Sequence, residues 1–559
     1  MYNENNDLGA KTIGTGERLS SNKESTRRKF LHLTAAGIAG AAAGAATTLS
    51  AQEAPAPRAT STPSPSGSRA IVDVRAFGAK GDGTSVDTPA INKAIEAVAT
   101  AGGGTLHFPA GTYLCYTIRL KSKVTLYLDQ GTTILAAETG SGGQYDAAEP
   151  NQWDRYQDYG HSHWRNSLIW GEDIHDFSII GPGLIWGKGL SRGTRQGPRA
   201  EDPGVGNKAI SLKNCHNVIL RDFSILHGGH FGILATGVDN FTIDNLMIDT
   251  NRDGIDIDCC RNVRVINCSV NSPWDDGICL KSSFGLGYAR ATEMVTISDC
   301  LLTGSFEEGT LLDGTCKPFP PDANVPRNGR IKFGTESNGG FKRITVANCV
   351  FDGCRGLALE AVDGAVLEDV AVTNISMRDV VDGPIFIRLG DRMRGPEGVP
   401  VGALRRVIIS NIVCSNAASN ISCLFTGLAG HPIEDVKLSN ILIEHRGGGT
   451  AAQAALQPPE EERERYPEPR RFGDMPSHGF YIRHVKGIEM NDVKILTQHE
   501  DARPAFVLED VRGADFFRIK TPKVTNVATF SLKGVEDFKV AQCNSVPDTH
   551  LEKVDNKKL

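Results

Sequence analysis

Short runs of alternating apolar and polar residues recur along most of this chain. "NVILRDFSI" opens at Asn217, "NFTIDNLMI" at Asn240 and "NVRVINCSV" at Asn262, so their starts lie 23 and 22 residues apart. Related runs follow at Met294, Arg343, Leu367, Arg405, Ile433 and Gly487. A second series, "GILA" at Gly232, "GIDI" at Gly254 and "GICL" at Gly277, keeps the same spacing. Alternation of period two marks half-buried strands. A repeat of this length with two or three strands per unit predicts a solenoid of parallel sheets, in which each coil buries its apolar face only by stacking. The expected fold class is all-β, a parallel β-helix whose uneven later gaps are loops inserted between strands.

The start of the repetitive region departs from this pattern. In "DVRAFGAKGDGTSVDTPAINKAIEAV", Ile91, Ala94, Ile95 and Val98 fall on one helical face. Asp87 or Thr88 can cap that helix, Pro89 suits its first turn, and Gly102 to Gly104 stop it. A short amphipathic helix here covers the open end of a sheet stack, as capping units do in repeat proteins. Further upstream, "TRRKFL" at 26–31 precedes a weakly apolar Ala/Gly stretch. The expected division is therefore a twin-arginine signal peptide over 1–51, a Pro/Ser linker over 52–69, a β-helix catalytic domain over 70–545 and a polar C-terminal tail over 546–559. The Ala/Gly stretch is too weakly apolar for a membrane span. The expected location is periplasmic or secreted, with no span left after signal removal.

Composition narrows the partners. The 559 residues carry a net charge of −6, which gives no sign of nucleic-acid binding. A monomer is expected. The thirteen cysteines are odd in number and include no C-x-x-C pair, which argues against a zinc ribbon and a full disulfide framework. Cys268, Cys300 and Cys349 hold one place in three repeats, as a ladder of buried thiols would.

The chemistry sits where the period brings aspartates together. Residues one period apart stack on neighbouring coils, roughly 4.8 Å apart at the backbone. Asp253 in "NRDGIDID" lies 22 residues before Asp275 and 23 before Asp276, and His230 lies 23 before Asp253. One coil position then reads His, Asp, Asp-Asp along the axis. Carboxylates this close push one another's pKa values apart, which is what acid–base chemistry at a glycosidic bond requires. A calcium site or a solvated Asp-rich turn is the alternative for an isolated Asp-Asp pair. Lys281 lies 23 residues after Asp258, as a stacked pair or as a substrate contact.

These residues carry a resemblance. The chain resembles the polygalacturonase family of glycoside hydrolases, family 28, over about residues 70 to 540; the anchors are "DVRAFGAKGDGTSVDTPAINKAI", "NRDG" at 251–254 and "DDGICLKS" at 275–282. The resemblance implies a right-handed parallel β-helix that inverts anomeric configuration without metal or cofactor. It makes Asp275 the general acid, with Asp253 and Asp276 holding and deprotonating water. It implies a pectic polysaccharide or oligosaccharide as partner. Asn251, His230, Lys281, Lys332, Glu336 and Glu360 are the candidate substrate ligands.

Two departures bear on the substrate. Where the family has a G-H-G motif, this chain has Asn328, Gly329 and Arg330, so that histidine is missing. The family's R-I-K position falls on Ala358, Leu359 and Glu360, while the literal "RIK" at Arg330 to Lys332 lies one coil earlier. Glu360 there would repel a uronate, favouring a neutral sugar such as rhamnose beside the cleavage point. Arg330 or Lys332 can supply charge from a new position, and Lys332 and Glu336 can instead form cross-coil ion pairs. The insertion "PPEEERERYPEPRRFGDMPSHGFYIRH" reads as a solvated charge run whose aromatic end, Tyr466, Phe472, Phe480 and Tyr481, lines a cleft wall; a long loop over one groove end favours exo action. A polysaccharide lyase and a non-catalytic carbohydrate-binding helix on the same scaffold stay open as alternatives.

Overall fold

A computed structural model describes residues 71–140, 142–158, 160–193, 201–320, 322–460 and 466–559. The expected signal peptide and linker lie outside the described residues. Thirty-five strands form one continuous parallel ladder, broken only where the last strand, Thr549–Lys558, returns antiparallel to Phe530–Ala541. The stretch expected as a polar tail is thus a strand, and its polar residues face solvent while its backbone satisfies the sheet's final edge.

The register confirms the period. Ile233 pairs with Ile255, Phe241 with Val263 and Ile248 with Val270, so three strands per coil each lie on their equivalents 22 residues later. Ile233, Ile255, Ile278 and Ile331 form a fully buried row inside the helix. Each such side chain contributes roughly 1.5–3 kcal/mol on burial. At one corner Asn217, Asn240 and Asn262 adopt left-handed backbone with φ of 59°, 52° and 54°. Asparagine tolerates that conformation, which is why these three runs open on it, while Met294 and Arg343 adopt it at φ of 56° and 55° in the next two coils. The asparagine side chains hydrogen-bond from coil to coil, Asn240 Nδ2 donating to Asn217 Oδ1 at 2.9 Å and Asn262 Nδ2 to Asn240 Oδ1 at 2.7 Å.

Helix Thr88–Thr100 buries Ile91, Ala94, Ile95 and Val98, as the pattern predicts, against strands Gly104–Phe108 and Ile118–Arg119. Asp87 stands at its N-terminus, but its carboxylate accepts from the Lys80 and Gly81 amides at 2.7 and 3.0 Å rather than capping the helix. All thirteen cysteines are free, and Cys268, Cys300 and Cys349 are buried in adjacent coils. No helix among the described residues is long and apolar enough to cross a membrane.

Candidate active site

One sheet breaks the in-out alternation. Strands Phe231–Thr236, Asp253–Asp258, Ile278–Ser282, Ile331–Ser337 and Leu357–Ala361 are buried at every position. Neighbouring strands such as His216–Arg221 alternate instead. The outer face of this sheet carries charged residues between two apolar patches, and a loop covers each patch. The loop around 161–164 docks through Trp164, which packs on Phe231 and Leu234 and donates from Nε1 to Thr236 Oγ1 at 3.0 Å. The strap 466–475 docks through Phe472 and Met475, which pack with Ala358, Phe386, Leu424, Tyr481 and Val507.

Between the two loops lie the aspartates. Pairing of Phe231 with Asp253 and of Ile255 with Ile278 sets Asp253 beside Asp276 on the next coil. The row through Asp253 therefore runs through Phe231 on the preceding coil, not through His230, which stands one residue ahead in the row of Arg252 and Asp275. The Gly-Ile strands begin here for a steric reason. A Cβ on Gly254 would lie 2.4 Å from the Gly277 carbonyl oxygen, and one on Gly277 would lie 2.9 Å from that of Gly329. Only glycine lets adjacent coils approach this closely at the site.

The carboxyls differ in setting. Asp253 is 2% exposed, and burial together with Asp256 and Asp275 pushes its carboxyl well above the usual range. Asp276 is equally buried but accepts from Arg330 Nε at 2.8 Å and faces Lys332 Nζ at 3.4 Å. Against the pull of burial, Lys332, Arg330 and Lys281 hold its carboxyl well below the usual range. Asp275 is the open member: its side chain is 23% exposed and accepts from Arg252 NH2 at 2.7 Å. Ligand atoms of His230, Asp253 and Asp275 lie within 4.8 Å of one another. Burial and Arg252 keep the His230 imidazole neutral.

A second buried row supports the first. Lys281 lies opposite Asp258 in the register, but its ammonium faces Asp256 at 3.7 Å and Glu336 at 3.5 Å. Asp258 is occupied by Ser283, whose amide and hydroxyl both donate to it at 2.7 Å. Glu336 also meets Arg394 at 3.3 Å, and with Lys281, His161 and Arg394 around it its carboxyl stays ionised despite burial. Lys332 and Glu336 do form cross-coil ion pairs, though with Asp276 and Lys281 rather than with each other. Asn251 is 7% exposed, beside Arg252 at the mouth.

Glu360 lies beneath the strap with no exposed surface, and burial, opposed by Lys332 and Arg330, pushes its carboxyl up to about 7. Lys332 stacks directly on Ala358, so the literal "RIK" does lie one coil before "GLALE". Arg330 and Lys332 nevertheless turn into the aspartate cluster. Arg330 NH2 donates to Glu468 Oε1 at 3.0 Å, Arg355 donates to the other oxygen at 2.5 Å, and Lys332 donates to Tyr466 Oη at 2.5 Å. The repulsion expected from Glu360 therefore has buried counter-charges beside it, and Glu360 has no exposed surface from which to exert it.

Sequence reasoning missed several residues. His161 comes from the covering loop, with Nε2 3.4 Å from Asp256 Oδ2, and so brings an imidazole to a site whose family histidine is absent. Its signal was the "HSHW" stretch ahead of the repeats. Arg252 and Asp256 flank Asp253 in the same motif. Glu468 belongs to the charge run expected to be solvated, yet it turns inward because two arginines lie beneath it. Phe472 and Tyr481, expected with Tyr466 to line a cleft wall, are instead buried in the packing between strap and sheet, and of the three only Tyr466 is exposed. Phe480 faces the opposite way, into the helix core, stacked on Phe506 at 5.4 Å, because strand alternation separates it from Tyr481.

A metal has donors here in principle, since His161, Asp253 and Asp256 also lie within 4.8 Å of one another. Both triads already hold a cation: Lys281 stands against Asp256 and Arg252 against Asp275.

Comparison with known proteins agrees with this architecture. The family described as rhamnogalacturonase A/epimerase, pectate lyase-like matches residues 71–279, and the right handed beta helix region matches 204–379. A probable polygalacturonase of Vitis vinifera is 23% identical over 404 residues, covering 67% of this chain and 74% of that protein. An exo-poly-alpha-D-galacturonosidase of Dickeya chrysanthemi is 22% identical over 376 residues, covering 57% of each. Among solved structures, a family 28 exopolygalacturonase of Yersinia enterocolitica superposes with a TM-score of 0.55 at 17% identity, over 85% of this chain and 79% of that one. An exopolygalacturonase of Thermotoga maritima gives 0.50 at 18% identity, over 88% and 95%. These likenesses establish the fold, a right-handed parallel β-helix.

Proposed function

We propose that this chain is a β-helical glycoside hydrolase related to the polygalacturonases, and that it hydrolyses pectic chains with inversion, through Asp275, Asp253 and Asp276. The observation that carries the reading is the separation of proton affinity between two stacked aspartates, Asp253 raised and Asp276 lowered. A site with one proton-bearing carboxyl and one ionised carboxylate has the acid and the base that glycoside hydrolysis needs.

Ligand oxygens of Asp253 and Asp275 lie within 4.8 Å of one another, near enough for the proton held by Asp253 to pass to Asp275 through one bridging water. Asp275 is the member that reaches the groove, and it delivers that proton to the leaving oxygen as the bond from C1 to that oxygen breaks. Asp276, kept ionised by Arg330 and Lys332, takes a proton from the water whose oxygen bonds to C1 from the opposite face. Water is added across the bond, and proton exchange with solvent resets both carboxyls. The strap fills the outer face of the coils beyond Glu360 with Phe472 and Met475. A chain bound across Asp275 then meets a wall on that side, which supports attack at chain ends. Export by the twin-arginine route is part of the same reading, resting on "TRRKFL" at 26–31.

The test is a product screen over homogalacturonan, rhamnogalacturonan I and their oligomers. Wild type should release new reducing ends, with the inverted anomer seen first by NMR. Asp275→Asn should lose roughly 100- to 10,000-fold in kcat with its melt unchanged. An unsaturated, UV-absorbing product would instead identify a lyase, and near-normal turnover by Asp275→Asn would overturn the mechanism.

A further inference from the structure

The buried cations of the site are committed. Arg330 and Lys332 are each 1% exposed and are bound into Asp276, Glu468 and Tyr466. Arg394 reaches the surface, but Asp158 holds its guanidinium at 2.5 and 2.8 Å and Glu336 at 3.3 Å. Arg252 differs. Its side chain is 24% exposed at the mouth, beside an equally open Asp275, and its NH2 donates to Asp275 Oδ2 at 2.7 Å. The same NH2 lies 3.4 Å from His230 Nε2.

Asp275 Oδ2 is needed for two things at once. An acid must present that oxygen, with its proton, to the leaving group, yet in the free chain the oxygen accepts from Arg252. A sugar carboxylate entering the mouth also meets the negative charge of Asp275 and is repelled unless a cation answers it. A guanidinium pairs with either carboxylate by the same planar geometry and can exchange one for the other.

We infer that Arg252 is a specificity-determining residue that trades Asp275 for the carboxylate of a uronate bound at the mouth, so that binding the acidic sugar frees the Asp275 oxygen for proton delivery. A neutral hexose at this position leaves the Arg252–Asp275 pair closed. This rests on the hydrolase reading for its catalytic consequence and on the ion pair alone for its binding consequence. The position follows "Asn251" in the motif and precedes the buried Asp253, so the backbone that fixes the catalytic aspartate also fixes this arginine.

Calorimetry with galacturonic acid and galactose, which differ only at C6, tests the binding half on active enzyme, since neither monosaccharide can be hydrolysed. Wild type should bind the acid at least about tenfold tighter, and Arg252→Gln should erase that preference while keeping galactose affinity and a cooperative melt. Asp275→Asn should tighten galacturonic acid binding, because the competing carboxylate is gone; a merely structural arginine would give no such gain. Persistence of the preference in Arg252→Gln, equal binding of both sugars by wild type, or no measurable binding of either overturns the inference. Failure of wild type to cleave any pectic substrate overturns the hydrolase reading separately, whatever the calorimetry shows.

Discussion

Asp253 and Asp276 are the same residue type, on adjacent coils, at equal burial, yet they hold protons oppositely. The difference lies in their neighbours: Asp253 faces Asp256 and Asp275, whereas Asp276 faces Arg330 and Lys332. Opposite stability effects follow. Folded Asp253 keeps a proton that the unfolded chain gives up above about pH 4, so it costs stability increasingly as pH rises from there. Asp253→Asn should raise stability by about 1 kcal/mol at neutral pH, with no gain below pH ~4. Asp276 gives the mirror case, its pairing contributing fully above about pH 4 and fading as pH falls. Asp276→Asn leaves two buried cations and should cost about 3–5 kcal/mol at neutral pH, less in acid. Thermal melts of both variants between pH 3 and 8, on the order of these limits, check the signs. The aspartates themselves were readable from spacing. Their protonation was not, because Arg330 and Glu468 come from 54 and 192 residues beyond Asp276.

At the scale of the element, strand pairing was readable because a β-helix repeats its own register. The Gly-Ile starts revealed it, and the structure gives the reason in the close approach of Gly254 to the Gly277 carbonyl. Gly254→Ala must push two coils apart between Asp253 and Asp276. It should lower stability by about 1–3 kcal/mol and cut activity more than a matching change in a distant coil. Melting temperature and kcat measured side by side for Gly254→Ala check both. The strap was readable only as an interruption. Its polar composition suggested solvent, and the buried arginines that draw Glu468 inward belong to other elements.

Across the whole molecule, stacking makes one long sheet face, and the two loops cover it on either side of the aspartates. With the coils beyond Glu360 occupied by Phe472 and Met475, a polymer is expected to enter by its end. On polygalacturonan, reducing ends should then accumulate well before viscosity falls, and the small products should be uniform in length. A rapid early drop in viscosity would show internal cleavage and an open groove.

The repeat determined the solenoid, its Asn corners and the stacking of Asp253 with Asp275 and Asp276, because each depends on residues one period apart in an almost constant register, and the three- and four-residue spacing of Ile91, Ala94, Ile95 and Val98 determined the capping helix. Tertiary structure alone decided which face was covered, where Arg330, Lys332 and Glu360 point, and how His161 and Glu468 reach the aspartates. Those contacts join segments of unrelated spacing through loops, and electrostatics in a buried site depends on which charges meet there rather than on their order along the chain.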